Sequence, residues 1–547
     1  MYEKKRYVRL RILKNPSAAL FLEMCGARSR NYFVSLPDKG PARGACGEML
    51  EKLAKQTAVY GISTIVVRFL SYLLTPVFTR VFEPAAYGVV TDVYALIPFA
   101  LVVLTMGLES AYFRFAAKAD AAASAAGGTP ERIAAAARAG KRRLFATTWG
   151  VTLLAATLFF VLAALGRQRV AGWMGETYAA HPQYVLLVVA VVWFDVAACL
   201  PFSRLREQGR AMTFVGIKAL SVVVNVVLAI AFALGGLYAT PFGVGWVFAA
   251  NLAASALTFG VVLLTTDRTV PRIDRRLLAA VLVYSLPLLV SGVAGTANEF
   301  IDRQMIKYLV PAGAMAQLGV YGAVTKIAVV MMLFTQMYRL AAEPFFLADY
   351  KKSDFIGMNA AAMKYYVMAS MFIFLGIALF RDLFALIVGA DFREGIFILP
   401  VVLGANVLSG VWLNLSFWYK REERTQLAVW VTFTGLFFTV AMNAALVPSL
   451  GYAGAAWARL VSEAAMVAVS YWLNRRYFPT PYDLRRIGEY VALGLGLFFA
   501  GALFARHVPV RGAEYAVNAV LFGLFALFAV RREHIDVGRL LRSALKR

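Results

Sequence analysis

Apolar residues occur along this chain in long unbroken runs of roughly twenty positions, separated by short polar breaks. That is the length an α-helix needs to cross the hydrocarbon of a bilayer. The pattern predicts fourteen spans, at 56–79, 88–111, 144–166, 184–203, 213–235, 241–264, 278–301, 317–338, 365–388, 396–418, 427–446, 452–473, 487–505 and 514–530. In lipid every backbone polar group must be satisfied by the structure itself, so such runs predict helices. The runs are continuous rather than alternating, which excludes a membrane β-barrel. The expected class is an all-α polytopic membrane protein.

Composition agrees. The 547 residues are 61% hydrophobic and 16% charged, with a mean hydropathy of +0.67, whereas charged residues make up about a quarter of soluble domains. The net charge of +25 would suit a nucleic-acid partner. Its distribution points to topology instead. Of the 56 Lys and Arg, 43 fall in the two tails and the even-numbered loops. Basic loops stay inside, so both termini are expected in the cytoplasm, with the chain in the cell's inner membrane. The excess also attracts anionic lipid heads. Cys25, Cys46 and Cys199 show no paired spacing, and the three histidines are scattered, so no disulfide framework, metal site or cofactor is expected.

Residues 1–52 read as a basic cytoplasmic extension, and Met49 as the translation start, which leaves 1–48 as upstream sequence. Lys118–Arg143 reads as two short cytoplasmic helical arms around a joint at Gly127-Gly128-Thr129-Pro130. The outside loops are short throughout.

The chain also repeats itself. Tyr87-Gly88-Val89-Val90-Thr91 opens span two, and Tyr321-Gly322-Ala323-Val324-Thr325 opens span eight, 234 positions later. The same offset carries Glu109 onto Glu343. Asn225 and Asn443, Arg206–Arg210 and Arg421–Arg424, and Trp246 and Trp457 follow in the same order. The expected organisation is two six-helix lobes, 53–266 and 267–476, then a helix pair and basic tail at 477–547. Six is even, so the lobes are parallel repeats about an axis along the membrane normal. Transporters built this way bind substrate between the halves and rock one against the other.

The segments 57–96 (TAVYGISTIVVRFLSYLLTPVFTRVFEPAAYGVVTDVYAL) and 419–463 (YKREERTQLAVWVTFTGLFFTVAMNAALVPSLGYAGAAWARLVSE) resemble the multidrug/oligosaccharidyl-lipid/polysaccharide (MOP) flippase superfamily. Within it the chain looks like the polysaccharide-transport branch, the O-antigen and capsule repeat-unit flippases, over about 53–480. The resemblance implies a MATE-like, V-shaped pair of bundles that moves an undecaprenyl-diphosphate-linked glycan from the inner to the outer leaflet. It implies a cavity lined by the first two helices of each lobe. It also makes glycan polymerase or assembly proteins candidate associates. By likeness to the lipid II flippases, the last two helices would groove the polyprenyl tail.

Charges inside spans mark the candidate sites, because a charge at mid-bilayer costs about 2.5–3.5 kcal/mol on insertion scales. Arg68 lies 13 residues past Lys55, too deep to snorkel, and would grip a diphosphate with its planar fork; a structural pair is the competing role. Lys326 is the candidate in the other lobe, as a cation for phosphate or as a partner to Glu299 or Asp302. Arg303 is a further cavity cation or an interfacial anchor. Glu109 and Glu343 are candidates for coupling or gating, or for ion pairs with Arg114 and Arg339. Asp92 reads as lying near its helix end and Asp195 at midspan, the deeper of the two; Asp195, Glu299 and Asp302 are further candidates for coupling or gating, and Lys218 is expected to snorkel. Asn225 and Asn443 read as interhelical glue.

Two rival functions share parts of this picture. A cation-coupled multidrug antiporter has the same two lobes, but Arg68 and the extra helix pair speak against it. A glycan polymerase or ligase needs a large outside loop, and the longest here is 167–183. There is no GxxxxGK[ST] motif, so the membrane potential or an H⁺ or Na⁺ gradient is the expected energy source. N-terminal sequencing of the purified protein is expected to start at Met49; a start at Met1 or Tyr2 would reject that reading.

Overall fold

The structure is a computed structural model that describes residues 72–267, 269–347, 352–422, 424, 426–508 and 510–534. Every regular element among the described residues is helical. The principal helices are α1 (Thr75–Val81), α2 (Pro84–Thr105), α3 (Leu108–Ala125), α4 (Pro130–Leu165), α5 (Gln183–Glu207), α6 (Ala211–Leu234), α7 (Gly245–Thr265) and α8 (Arg275–Leu309). They continue as α9 (Ala314–Ile327), α10 (Val329–Leu347), α11 (Lys352–Ala378), α12 (Leu399–Leu415), α13 (Gln426–Leu450), α14 (Tyr452–Tyr477), α15 (Leu484–His507) and α16 (Arg511–Arg532).

Among the described residues eleven helices are long and apolar enough to cross a membrane, or twelve when α9 and α10, bent by 50° where they meet, count as one broken span. Span one lies outside the described residues except for α1. Span twelve is present as the 26-residue α14, but Arg459 and Glu463 make it too polar to meet the same standard. The bundle is apolar on its outside: Leu162, Leu234, Leu264 and Phe499 are exposed. Lipid, not water, is the solvent those faces suit.

The two arms expected at 118–143 are continuations of the membrane helices rather than separate pieces. α4 is 36 residues long, about 54 Å at helical rise, against ~30 Å of hydrocarbon. Thr129 caps it by accepting the Arg132 N–H, and Pro130 takes the first position. Span two is broken where Met106 and Gly107 both adopt left-handed backbone, with φ of 50° and 67°. A Cβ on Gly107 would also lie 2.8 Å from the Ser285 carbonyl oxygen of α8.

Helices α3–α7 pack mainly on one another, and α10–α14 do the same, while α2, α8 and α9 pack extensively across the two sets. The duplicated stretches form the seam between the two sets. α2 and α9 cross so closely that a Cβ on Gly88 would strike the Met315 carbonyl, one on Gly319 the Pro84 carbonyl, and one on Gly322 the Thr91 side chain. Small residues let backbones meet like this without the bulk that would hold them apart. Beside this crossing, α8 runs along α2, with Phe99 and Phe300 stacked at 4.8 Å, and then along α3.

The last two helices dock on α11. Gly494 lies against Met371, Gly501 lies against Leu379 and Asn518, and Asn518 donates to the Leu379 carbonyl at 2.8 Å. Gly496 faces open space instead. Glu533, just past α16, ties the pair down by pairing with Lys364 and accepting from Tyr490 at 2.8 Å. Gly319→Val is expected to wedge α2 from α9 and cost about 1–3 kcal/mol, seen as a lower thermal midpoint in detergent. An unchanged midpoint would mean that the crossing is not a close seam.

Candidate functional site

The seam between α2, α8 and α9 carries most of the buried charge that joins the two bundles. The Lys326 ammonium reaches from α9 to donate to the Tyr87 hydroxyl at 2.8 Å. It lies 5.1 Å from the Tyr87 ring centre and 6.0 Å from that of Tyr94. Aromatic faces attract a cation that has lost part of its water. Tyr87 is fully buried, edge-on to Phe392 at 5.4 Å. Asp302, one of the two acids expected as a partner of Lys326, accepts from the Asn443 amide at 2.9 Å.

Asp92 precedes Lys326 by 234 positions and is therefore its counterpart in the repeat. It forms the densest polar contact between the bundles. Lys307 of α8 pairs with it at 2.5 Å, the two side chains being 6% and 1% exposed. Gln304 donates to the same carboxylate at 2.6 Å and the Tyr178 hydroxyl at 2.7 Å. Lys307 also lies over the Tyr178 ring at 4.8 Å. Three donors satisfy the carboxylate, the condition under which a buried ion pair is tolerated. Sequence reasoning passed over Lys307 and left Asp92 near a helix end. The available signal was an acid in the N-terminal part of α2 and a base in the last turn of α8.

Within the second bundle, α8, α10, α12, α13 and α14 enclose a polar cavity of about 320 Å³. Asp302, Glu463, Arg339 and Arg459 line it together with Asn298 and Trp412. Asn443 acts as interhelical glue, binding Asp302 and its own helix's Thr439 carbonyl at 2.8 Å. The lining thus carries two acids and two guanidiniums. Among the described residues, no three His, Cys, Asp or Glu side chains are grouped to hold a metal ion.

The remaining expected residues fall elsewhere. Glu109 pairs with Arg206 of α5, with the Cys199 thiol 3.6 Å away. Its expected partner Arg114 lies instead over the Tyr284 ring at 4.2 Å. Glu343 pairs with Lys420 at 2.7 Å and, as expected, with Arg339 at 3.2 Å. Both repeats thus tie the same acid to a base on the following part of their own bundle. Lys218 packs over the Phe202 ring at 4.3 Å and acts on Asp195, as does Ser255. Arg303 is half-buried on α8, and its charge is felt at Tyr321 of α9. Arg68 lies outside the described residues, and Glu299 is described only by its place on α8. The candidates therefore sort into a seam (Lys326, Arg303), a second-bundle chamber (Asp302), a first-bundle pair (Asp195) and two end pairs (Glu109, Glu343).

Removing one partner of a buried pair strands the other. Asp92→Asn or Lys307→Met alone is expected to cost about 3–5 kcal/mol, measured by thermal unfolding in detergent. The double variant Asp92→Leu/Lys307→Met is expected to recover most of that loss. Additive losses would show that the two groups do not depend on each other.

The fold has known counterparts. The structure of "Lipid II flippase MurJ, inward closed conformation" superposes with a TM-score of 0.63 at 11% identity, covering 87% of this chain and 99% of that one. An inward-facing multidrug resistance MATE family transporter of the MOP superfamily gives 0.61 at 17% identity, covering 80% and 99%. The MATE multidrug transporter DinF-BH in complex with R6G gives 0.55 at 16% identity, covering 78% and 95%. These likenesses establish a MOP-type fold. No curated protein matches the chain by sequence. A family model described as "Polysaccharide biosynthesis protein" matches residues 53–348, more than half of the chain, so the protein belongs to that family.

Proposed function

We propose that the protein is a flippase that carries a polyprenyl-diphosphate-linked oligosaccharide, of O-antigen, capsule or exopolysaccharide type, from the cytoplasmic to the outer leaflet of the inner membrane. The observation that carries this reading is Lys326, an intramembrane cation at the seam between repeated helices in a chain of the polysaccharide biosynthesis family. Such a head group cannot cross hydrocarbon unaided, since its charge and hydroxyls would lose their water. A cationic cleft between 53–266 and 267–476, to which Arg68, Lys326 and Arg303 contribute, removes most of that cost while the lipid tail stays in the bilayer.

Placing both termini in the cytoplasm puts the α2–α9 crossing at the outer side. In this reading the seam is the outer gate in its shut state. The Asp92–Lys307 pair is its bolt, and the Glu109 and Glu343 pairs brace the inner ends. Outward passage of negative charge is downhill by about 2.3 kcal/mol per charge per 100 mV in a cell with a negative interior. Asp195, Asp302 and Glu299 are the groups on which an H⁺ or Na⁺ gradient would act. Lipid II is the alternative cargo, because it presents the same diphosphate-sugar chemistry and a lipid II flippase shares the fold. We read the chain as a transporter without catalysis, with membrane lipid and glycan-assembly proteins as its partners.

Deletion of the protein is expected to leave lipid-linked glycan on the cytoplasmic leaflet. Lys326→Ala, at unchanged protein level, is expected to slow flipping in vesicles by about tenfold or more, the loss of one phosphate–cation contact of ~1.5–3 kcal/mol. Normal flipping by that variant would remove Lys326 from the path, and undiminished flipping with every gradient collapsed would remove the coupling. Restored drug resistance in a host lacking its own pumps would favour the antiporter instead.

A further inference from the structure

Where α3 and α4 meet the start of α8, the surface folds into a basin of about 340 Å³. Its rim carries Lys118, Arg143 and Arg276, and its floor is made of Phe115, Leu144 and Leu277. One acid, Asp274, shares the lining and is already committed. It caps α8 by accepting the Arg276 and Leu277 amides at 3.1 and 3.2 Å, and it pairs with Arg143. The Leu277 amide first, with Arg143, holds its carboxyl below the usual range. The basin therefore keeps a net positive rim, with Lys118 and Arg276 exposed. Lys118 lies over the Phe115 ring at 4.8 Å, at the join between rim and floor.

Three features coincide here. The apolar stretch of α8 begins at Arg275, so the basin sits where hydrocarbon gives way to water. An apolar floor beneath a cationic rim matches the junction of acyl chain and phosphate in a lipid, and basic pockets between membrane helices on the cytoplasmic side suit anionic heads. The walls also come from both bundles: α3 and α4 from the first, α8 from the second. The strand between them is pinned, with the Arg272 N–H donating to the Ala146 carbonyl at 3.1 Å and the Thr147 hydroxyl to the Arg272 carbonyl at 3.2 Å.

We propose that this basin is a site for the phosphate head of an anionic phospholipid of the inner leaflet. The bound lipid bridges the two bundles and favours the arrangement seen here. A soluble phosphate ester has the same charged chemistry but no use for the apolar floor.

The test titrates full-length protein in phosphatidylcholine-doped detergent with phosphatidylglycerol, and native mass spectrometry counts the bound lipid. Lys118→Ala/Arg276→Ala leaves the Arg143–Asp274 pair in place and is expected to weaken the tightest site about tenfold or more. Arg475→Ala/Arg476→Ala, on the same membrane face, is expected to leave that site unchanged. Should the first double variant melt early, Lys118→Gln/Arg276→Gln serves in its place with the same expectation. The proposal is overturned by equal losses in both pairs of variants, which mean diffuse attraction. It is equally overturned by no loss, or by glycerol 3-phosphate displacing the lipid at matched concentration, which marks a soluble-anion site.

Discussion

A charge has almost no place to go inside a bilayer, and the idealised cost of moving one from water to a medium of low dielectric is about 20 kcal/mol. That constraint governs where each ionised side chain of this protein sits. Asp92 and Lys307 meet it most fully, facing each other with Gln304 and Tyr178 supplying the remaining bonds. Their pair joins two bundles rather than two turns of one helix. Any motion that separates α2 from α8 must therefore give both groups new partners or water. The ion pair makes the arrangement of the bundles a matter of electrostatics as well as of packing.

The repeat gains meaning at the same seam. Asp92 and Lys326 hold equivalent positions in the two halves and carry opposite charge. Each reaches across to the other half, Asp92 to Lys307 and Lys326 to Tyr87. Gly88, Gly319 and Gly322 let the helices that bear them approach closely enough for this. The same helices thus supply both the tight contact and the charged groups that cross it.

Much of this architecture was legible in the chain. Twenty-residue apolar runs leave a helix no alternative in lipid. The repeated Tyr-Gly motifs marked the helices that turned out to face one another. Less legible were the breaks. Gly107 is the one mark of the break at Met106, since glycine tolerates a left-handed backbone, and nothing in the residues around Ala328 announces the 50° bend. Arg459 and Glu463 lower the hydropathy of span twelve, and both turn into a polar chamber that other helices complete.

The sequence by itself determined the class of the molecule, the order of most of its helices and the presence of costly charges within them, because each depends on the nearby chain and its solvent. Partnership was decided only by the tertiary structure. Arg114 and Arg339 were the expected mates of the two acids, yet Glu109 took Arg206, and Glu343 took Lys420 along with Arg339. An electrostatic pair is a statement about distance in space, and residues more than two hundred positions apart, such as Asp92 and Lys307, acquire that distance only when whole helices pack.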